Sequence, residues 1–208
     1  MKSRQRFTFQ GNLRETRHGW LRLTPAYSVH VVRELLAARA RPDLPVLDPF
    51  CGTGTTLLSC AESGVDCDTV DVNPFLVWLA RAKTARYSER SVAAAEGLGA
   101  RMAAAARAGA ASGWTPEIHR IERWWDDGSL SGLAAAFAVL AGTRAGKSRD
   151  LAALGFCRTL IAASRASFGH QSMSFADAGP TRSKAAARRA VAADLAAEMP
   201  SIAAANPK

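Results

Sequence analysis

The spacing of apolar positions changes period several times along the first 86 residues, and each change marks an element. Residues 1–22 show no clear period. The segment Leu23-Thr24-Pro25-Ala26-Tyr27-Ser28 then opens a helix, with Val31, Val32, Leu35 and Leu36 as its apolar face. Pro42 and Pro45 end it, because a proline excludes the residue before it from helical geometry. Pro45-Val46-Leu47-Asp48 reads as a short buried strand. Thr55 to Glu62 reads as a helix closed by Gly64. Cys67-Asp68-Thr69-Val70-Asp71 reads as a second strand. Asn73-Pro74 starts another helix, since Asn caps well and Pro suits the first turn, and it runs through Leu76, Val77, Leu79 and Ala80 towards Ala85. Residues 45–86 are thus a strand–turn–helix–strand–helix unit, the opening of a parallel α/β sheet.

From about residue 88 the chain turns Ala-rich and reads as helical to its end, with breaks near Gly113, Gly128, Gly142–Lys147 and Gly169–Pro180. No repeat of fixed period is present. The alanine runs reflect helix propensity rather than a function. The fold class expected is α/β, a partial Rossmann-like domain with few parallel strands over residues 1–86 and a large helical insertion or appendage over 87–208. No third strand is legible after residue 71. Two strands do not make a stable parallel sheet alone, so further strands are expected from outside this chain.

Composition narrows the class. Apolar residues at 48% and charged residues at 22% suit a globular domain with a sizeable core. No run of 18 apolar residues predicts a membrane span, and the basic start lacks the apolar middle of a signal peptide, so a cytoplasmic protein is expected. The four cysteines and four histidines show no paired ligand spacing, and no metal site is expected. The net charge of +9 and pI near 10.1 favour a polyanionic partner. Nine of the first 43 residues are Lys or Arg: Lys2, Arg4, Arg6, Arg14, Arg17, Arg22, Arg33, Arg39 and Arg41. A solvated basic surface and a nucleic-acid footprint explain them equally well.

The segment that carries chemistry is Asp48-Pro49-Phe50-Cys51-Gly52-Thr53-Gly54-Thr55-Thr56. It lies at the C-terminal end of the first strand and opens a helix, where open α/β sheets bind ligands. Gly52 and Gly54 let the backbone turn tightly, and the free N–H groups at the helix start favour a negative group. Asp71 stands 17 residues after Gly54, at the end of the second strand, where an acid can accept hydrogen bonds from ribose hydroxyls. A P-loop would need a Lys after its last glycine, and none follows Gly54. A dinucleotide site would want glycine at position 57, which is leucine. A turn with no ligand is the remaining reading. The surrounding Asp-Pro-Phe-Cys and Asp71-Val72-Asn73-Pro74 weigh against it.

DPFCGTGTT resembles the cofactor motif of DNA methyltransferases that modify the exocyclic amino groups of cytosine or adenine. DVNPF resembles the next motif of that family. RHGWLRLTPAYSVHVVRELL resembles the segment that closes over the methionine end of the cofactor there. The resemblance covers roughly residues 17–86 and implies S-adenosylmethionine as cofactor and DNA as partner. Asp48, Pro49, Phe50, Cys51, Gly52, Thr53, Gly54, Thr55 and Thr56 would hold the methionine end, Asp71, Val72 and Asn73 the ribose side, and Thr24, Pro25 and Tyr27 the wall. Tyr27 reads equally as a packing residue at a helix entry. Similar signatures occur in RNA guanine-N2 methyltransferases, so DNA is the less specific part of the implication.

The family's catalytic motif, a polar residue followed by Pro-Pro and an aromatic, stacks the flipped base and binds its amino group. No Pro-Pro occurs in the sequence. Asn73-Pro74-Phe75 sits where the cofactor motif belongs, and Asn206-Pro207-Lys208 lacks an aromatic. No residue is assigned catalysis. The expectation is a truncated, split or degenerate enzyme, with the catalytic motif on a second chain. An RNA guanine-N2 methyltransferase fragment, a non-catalytic cofactor-binding subunit and a nicotinamide enzyme are the competing readings.

The helical half offers weaker candidates. Trp124 and Trp125 suit base stacking or core packing, with packing the stronger reading. Phe168 to Phe175 suits a target-facing loop, in which His170 is a poor candidate for a base. Arg182, Lys184, Arg188 and Arg189 suit phosphate contact or a solvated helix face.

Overall fold

The computed structural model describes residues 7–21, 26–109, 114–167, 174–175 and 183–204. The chain divides into two compact units, one through Tyr87 and one from Ser88 to Ala204. It is mixed and mostly helical, with one parallel strand pair. Among the described residues no helix is long and apolar enough to cross a membrane.

The first unit begins with two 3-10 segments, Phe9–Arg14 and Arg17–Gly19, followed by helix α1 (Val29–Arg39). The buried stripe of α1 is Val29, Val32 and Leu36, at the i, i+3, i+7 spacing of one helix face. Leu35, expected on that face, is 58% exposed. The reason is phase: the 3.6-residue period brings Val29 onto the line of Val32 and Leu36 and turns Leu35 outward. The N-cap Ser28 makes no side-chain cap. Asn12 supplies it from 17 residues away, accepting the Val29 N–H at 2.8 Å through Oδ1 and donating through Nδ2 to the Tyr27 carbonyl at 2.7 Å.

Strand β1 (Val46–Asp48) pairs in parallel with β2 (Cys67–Thr69), Val46 opposite Cys67. Both are shorter than the sequence suggests, but the pairing extends past them, with Val70 N–H on the Asp48 carbonyl and Cys51 N–H on the Val70 carbonyl. Helix α2 (Thr55–Ser63) joins them and ends on the left-handed Gly64. Helix α3 (Pro74–Thr84) follows β2, capped by the Asn73 side chain, which accepts the Phe75 N–H at 3.0 Å. Val32, Leu36 and Cys60 form a core with Val46, Val65 and Cys67, so α1 and α2 cover one face of the strand pair.

The second unit contains α4 (Glu89–Ala108), α5 (Ile121–Trp124), α6 (Asp127–Ala141), α7 (Lys147–Ala162) and α8 (Lys184–Ala204). Helix α4 packs on α6, α7 and α8. Alanine and glycine at the contacts let the axes approach closely. Gly99 of α4 and Gly155 of α7 both face Met199 of α8. Two departures from the sequence reading stand out. Gly128 does not break a helix; it lies in the first turn of α6, where Asp126 is the N-cap and accepts the Ser129 N–H at 2.8 Å. The half is also not all helical, since β3 (Ala166–Ser167) and β4 (Ser174–Phe175) form a short antiparallel pair. Two-residue strands leave too little alternation to be read from sequence. The breaks expected at Gly113 and over most of Gly169–Pro180 fall outside the described residues.

A Cβ on Gly128 would stand 2.7 Å from the Ala187 Cβ and 2.8 Å from the Lys184 backbone carbonyl oxygen. Backbone cannot swing aside as a side-chain tip can. Gly128→Ala is therefore expected to destabilise the helical unit by about 1–3 kcal/mol, although alanine is the better helix former by about 1 kcal/mol. Urea denaturation followed by circular dichroism checks this. A midpoint equal to or above the parent's would mean α6 and α8 have room there.

Candidate functional site

The connection from β1 to α2 is built by side-chain and backbone bonds that all converge on one turn. Asp48 is buried, and its Oδ1 accepts the Phe50 N–H at 3.0 Å, folding the chain back just after the strand. Gly54 N–H reaches the Cys51 carbonyl at 2.8 Å. Asp71, from the end of β2, accepts the Gly52 N–H through Oδ2 and the Asn73 N–H through Oδ1, both at 2.8 Å. One carboxylate thus fixes the glycine turn and the entry to α3 together.

The turn needs glycine at its last position for two reasons. Gly54 has φ +76°, in the left-handed region, and a Cβ there would lie 2.8 Å from the Ala80 Cβ of α3. Gly54 is also the N-cap of α2 and provides no side-chain acceptor, so the first-turn N–H groups of that helix have no intrahelical partner. They and the helix dipole make this end of the turn suited to an anion.

Beside the turn lies a cleft of about 320 Å³ lined by Ala26, Tyr27, Phe50, Cys51, Gly52, Thr53, Thr55, Asp71 and Leu76. Its size falls at the small end of small-molecule sites, about 300–1,000 Å³. Phe50 and Tyr27 are 75% and 52% exposed, unusual for large rings, and both face it. Burial pushes the Cys51 thiol above its ordinary pKa, so it stays protonated and is no nucleophile at neutral pH.

Of the residues read from sequence, Tyr27, Phe50, Cys51, Gly52, Thr53, Thr55 and Asp71 come together around this cleft. Asp48, Pro49, Gly54, Thr56, Val72 and Asn73 do not line it. Asp48 and Gly54 shape the turn from beneath, Asn73 caps α3, and Val72 is fully exposed. Thr24 and Pro25 lie outside the described residues, as do His170, Arg182 and Asn206–Lys208.

The basic residues sort differently from the sequence reading. Arg17 is buried, donates from Nη1 to the Lys83 and Ala85 carbonyls at 2.9 and 2.7 Å, and lies against the rings of Trp20 and Tyr87. It closes the C-terminus of α3. Arg33 pairs with Glu15 and Glu62, and Arg41 with Asp43. These three are occupied within the fold. In the helical unit Lys184 pairs with Asp127, and Arg188 reaches the Ala108 carbonyl at 3.4 Å. Trp125 is buried and donates to the Leu160 carbonyl at 3.0 Å, while Trp124 meets Phe175 edge-on at 5.1 Å. The two tryptophans are packing residues.

Four participants were missed. Asn12 holds the Tyr27 backbone; Ala26 and Leu76 line the cleft; Lys83 lies behind the turn and donates from Nζ to the Thr53 carbonyl at 3.0 Å and the His18 carbonyl at 3.3 Å. Lys83 did leave a signal. It continues the buried stripe of α3 at four residues after Leu79 and three after Ala80, a position where a lysine is out of place.

The glycine turn stands at the carboxyl ends of two parallel strands, with an acid just past the second, which is the position where open α/β sheets bind ligands. The curated proteins that the chain resembles are type II methyltransferases. It is 33% identical over 73 residues to M.AvaI of Nostoc sp. and to the M.AvaI of Anabaena variabilis, a match covering 35% of this chain and 15% of each relative. It is 40% identical over 42 residues to M.MjaII of Methanocaldococcus jannaschii, covering 20% of this chain and 8% of that relative. The matched stretch is thus a small part of each relative. No family model and no solved structure matches the chain.

Gly54→Ala is expected to lower the stability of the first unit by about 2–4 kcal/mol, the left-handed backbone and the Ala80 contact acting together. Gly64→Ala, at φ +68° with no atom within 4 Å of the new Cβ, is the control and should lose only the backbone part, about 1–2 kcal/mol. Equal losses in chemical denaturation would mean that Ala80 does not constrain the turn.

Proposed function

We propose that this chain is the S-adenosylmethionine-binding part of a DNA methyltransferase of the class that modifies exocyclic amino groups, built on a Rossmann-like sheet. The observation that carries this is the joining of the glycine turn to the second-strand acid, Gly52 N–H to Asp71 Oδ2 at 2.8 Å, at the floor of a cleft open to two aromatic rings. The partial similarity to type II methyltransferases supports the reaction class and DNA as the partner.

The cofactor would supply a methyl group on a sulfonium that leaves as a neutral thioether when an amino nitrogen attacks in line. The residues of this chain act by binding. Each Asp71 oxygen already accepts one backbone N–H and keeps a lone pair for a ribose hydroxyl. The free N–H groups at the start of α2 take the carboxylate of the methionine end. The rings of Tyr27 and Phe50, which line the cleft, would meet the cation and keep water from it. Holding the donor in one geometry is where the rate advantage of such a transfer lies. The groups that bind the target amine belong to other residues, on this reading, because no Pro-Pro-aromatic motif occurs among these 208.

Calorimetric titration of the purified chain with S-adenosylmethionine, with NAD as control, tests the cofactor assignment. Saturable binding of the methyl donor alone is expected; a folded sample that binds neither refutes it. Asp71→Ala would abolish binding, but it would also strip two backbone N–H groups of their acceptor and so disturb the turn. Asp71→Asn keeps one acceptor oxygen and is the cleaner variant. It should weaken donor binding at least tenfold, or about 1.4 kcal/mol, with the fold retained by circular dichroism. Unchanged affinity removes Asp71 from the site. The chain alone should transfer no labelled methyl to DNA, and measurable incorporation would overturn the assignment of the target-amine groups to other residues.

A further inference from the structure

Lys83 is 1% exposed, yet no carboxylate pairs with it among the described residues. Its ammonium donates to two backbone carbonyls, Thr53 of the glycine turn and His18 of the second 3-10 segment. A buried cation held by carbonyls alone is costly, and a methionine of similar length would fill the space without that cost. The lysine therefore calls for an explanation beyond packing. Its place gives one. The Thr53–Gly54 peptide enters the N-cap of α2, and fixing it fixes Gly54, from which the unpaired N–H groups of that helix start. Lys83 holds that peptide by its carbonyl from behind, while Thr53 itself lines the cleft in front.

We propose that Lys83 is a positioning residue for the anionic end of the ligand: it locks the Thr53–Gly54 peptide and places a fixed positive charge behind the turn, so that a carboxylate at the start of α2 is bound more tightly. This rests on the cofactor reading above and assigns the subsite that distinguishes a ligand with a carboxylate from one without.

The charge makes the proposal testable by pH. Burial lowers the Lys83 pKa to about 8, so the ammonium is mostly present at pH 7 and lost above pH 9. The neighbouring titratable groups do not share that window. Cys51, on the turn, is raised by burial. His18, on the 3-10 segment, is lowered by burial despite Glu62 of α2. Arg17 stays charged throughout. A carboxylate bound near the ammonium favours its charged form, and by linkage the ammonium favours the carboxylate equally.

The experiment measures affinity for S-adenosylmethionine and for methylthioadenosine, which lacks the amino-acid end, in the parent chain and in Lys83→Met and Lys83→Gln at pH 7, 8 and 9. Lys83→Gln keeps an N–H donor for the carbonyls and loses the charge, so it carries the test if the methionine variant does not fold. At pH 7 both variants should bind S-adenosylmethionine about tenfold more weakly and methylthioadenosine nearly as the parent does. The parent-to-variant ratio for S-adenosylmethionine should fall as the pH passes 8, towards one against Lys83→Gln, which keeps a donor, and less far against Lys83→Met, which does not. The α-amino group of the ligand titrates in the same range, but it is common to all three proteins and cancels in the ratio. A folded variant with parental affinity at pH 7, or one that loses both ligands equally with a ratio flat in pH, overturns the proposal and leaves the cofactor reading standing. A parent chain that binds neither ligand refutes the cofactor reading itself.

Discussion

The first unit depends on one carboxylate. Asp71 accepts the Gly52 N–H and the Asn73 N–H at 2.8 Å each, and so ties the turn after β1 to the turn after β2. The backbone bonds Val70–Asp48 and Cys51–Val70 continue the strand ladder beside it, but neither reaches the glycines or the entry to α3. Charge-assisted bonds to backbone N–H groups are about twice as strong as neutral ones, and these two act on the segments that wall the cleft. The same geometry sets what the site can bind. The carboxylate leaves lone pairs towards the cleft, and the turn it holds presents helix N–H groups a few residues further on. An acceptor and an anion-binding donor set thus face one space, which suits a ligand with hydroxyls at one end and a carboxylate at the other.

A second constraint comes from beneath. The turn is clamped between Asp71 on the strand side and α3 on the other, where Ala80 touches Gly54 and Lys83 holds the Thr53 carbonyl. Helix α3 is fixed in turn by Arg17, which closes its last carbonyls, and by Tyr87, whose hydroxyl donates to the Ala82 carbonyl at 2.7 Å. The 3-10 segments therefore serve the turn indirectly. They carry the arginine that ends α3, the His18 carbonyl that shares Lys83, and the Asn12 that caps α1 and holds Tyr27. A basic N-terminal stretch that invites a nucleic-acid reading spends Arg17 and Arg33 on this internal scaffold.

What was legible in the sequence was local. Glycines at 52 and 54, Asn73-Pro74, and Gly64 act through their own backbone or through neighbours two residues away, and they placed β1, α2, β2 and α3. The roles of Asn12, Arg17 and Lys83 were not legible, because their partners stand 15 to 68 residues off and depend on how the elements fold together; Lys83 shows in the sequence only as a lysine out of place on an apolar stripe. The same holds for Gly128. Alone it reads as a helix break, and only the approach of α8 shows it to be a packing position. Asp71 was read as a ribose acceptor, and its role in holding the Gly52 N–H could not be seen without the register of the two strands.

The strand pair itself contributes less than its place in the fold suggests. Val46 and Cys67 face α1 and α2. Leu47 and Val70, which alternation puts on the opposite face, are 67% and 58% exposed. Parallel sheets are ordinarily covered on both faces, and a pair of three-residue strands with one bare face is not self-supporting. The cohesion of the first unit must therefore come from elsewhere: the Val32–Leu36–Cys60 core, the Arg17 closure and the Asp71 tie. Of these, the Asp71 tie acts on the glycine turn directly. The turn is also held from α3 through the Lys83–Thr53 bond, and N–H groups fixed in this way stand oriented before any ligand arrives, which lowers the ordering cost of binding.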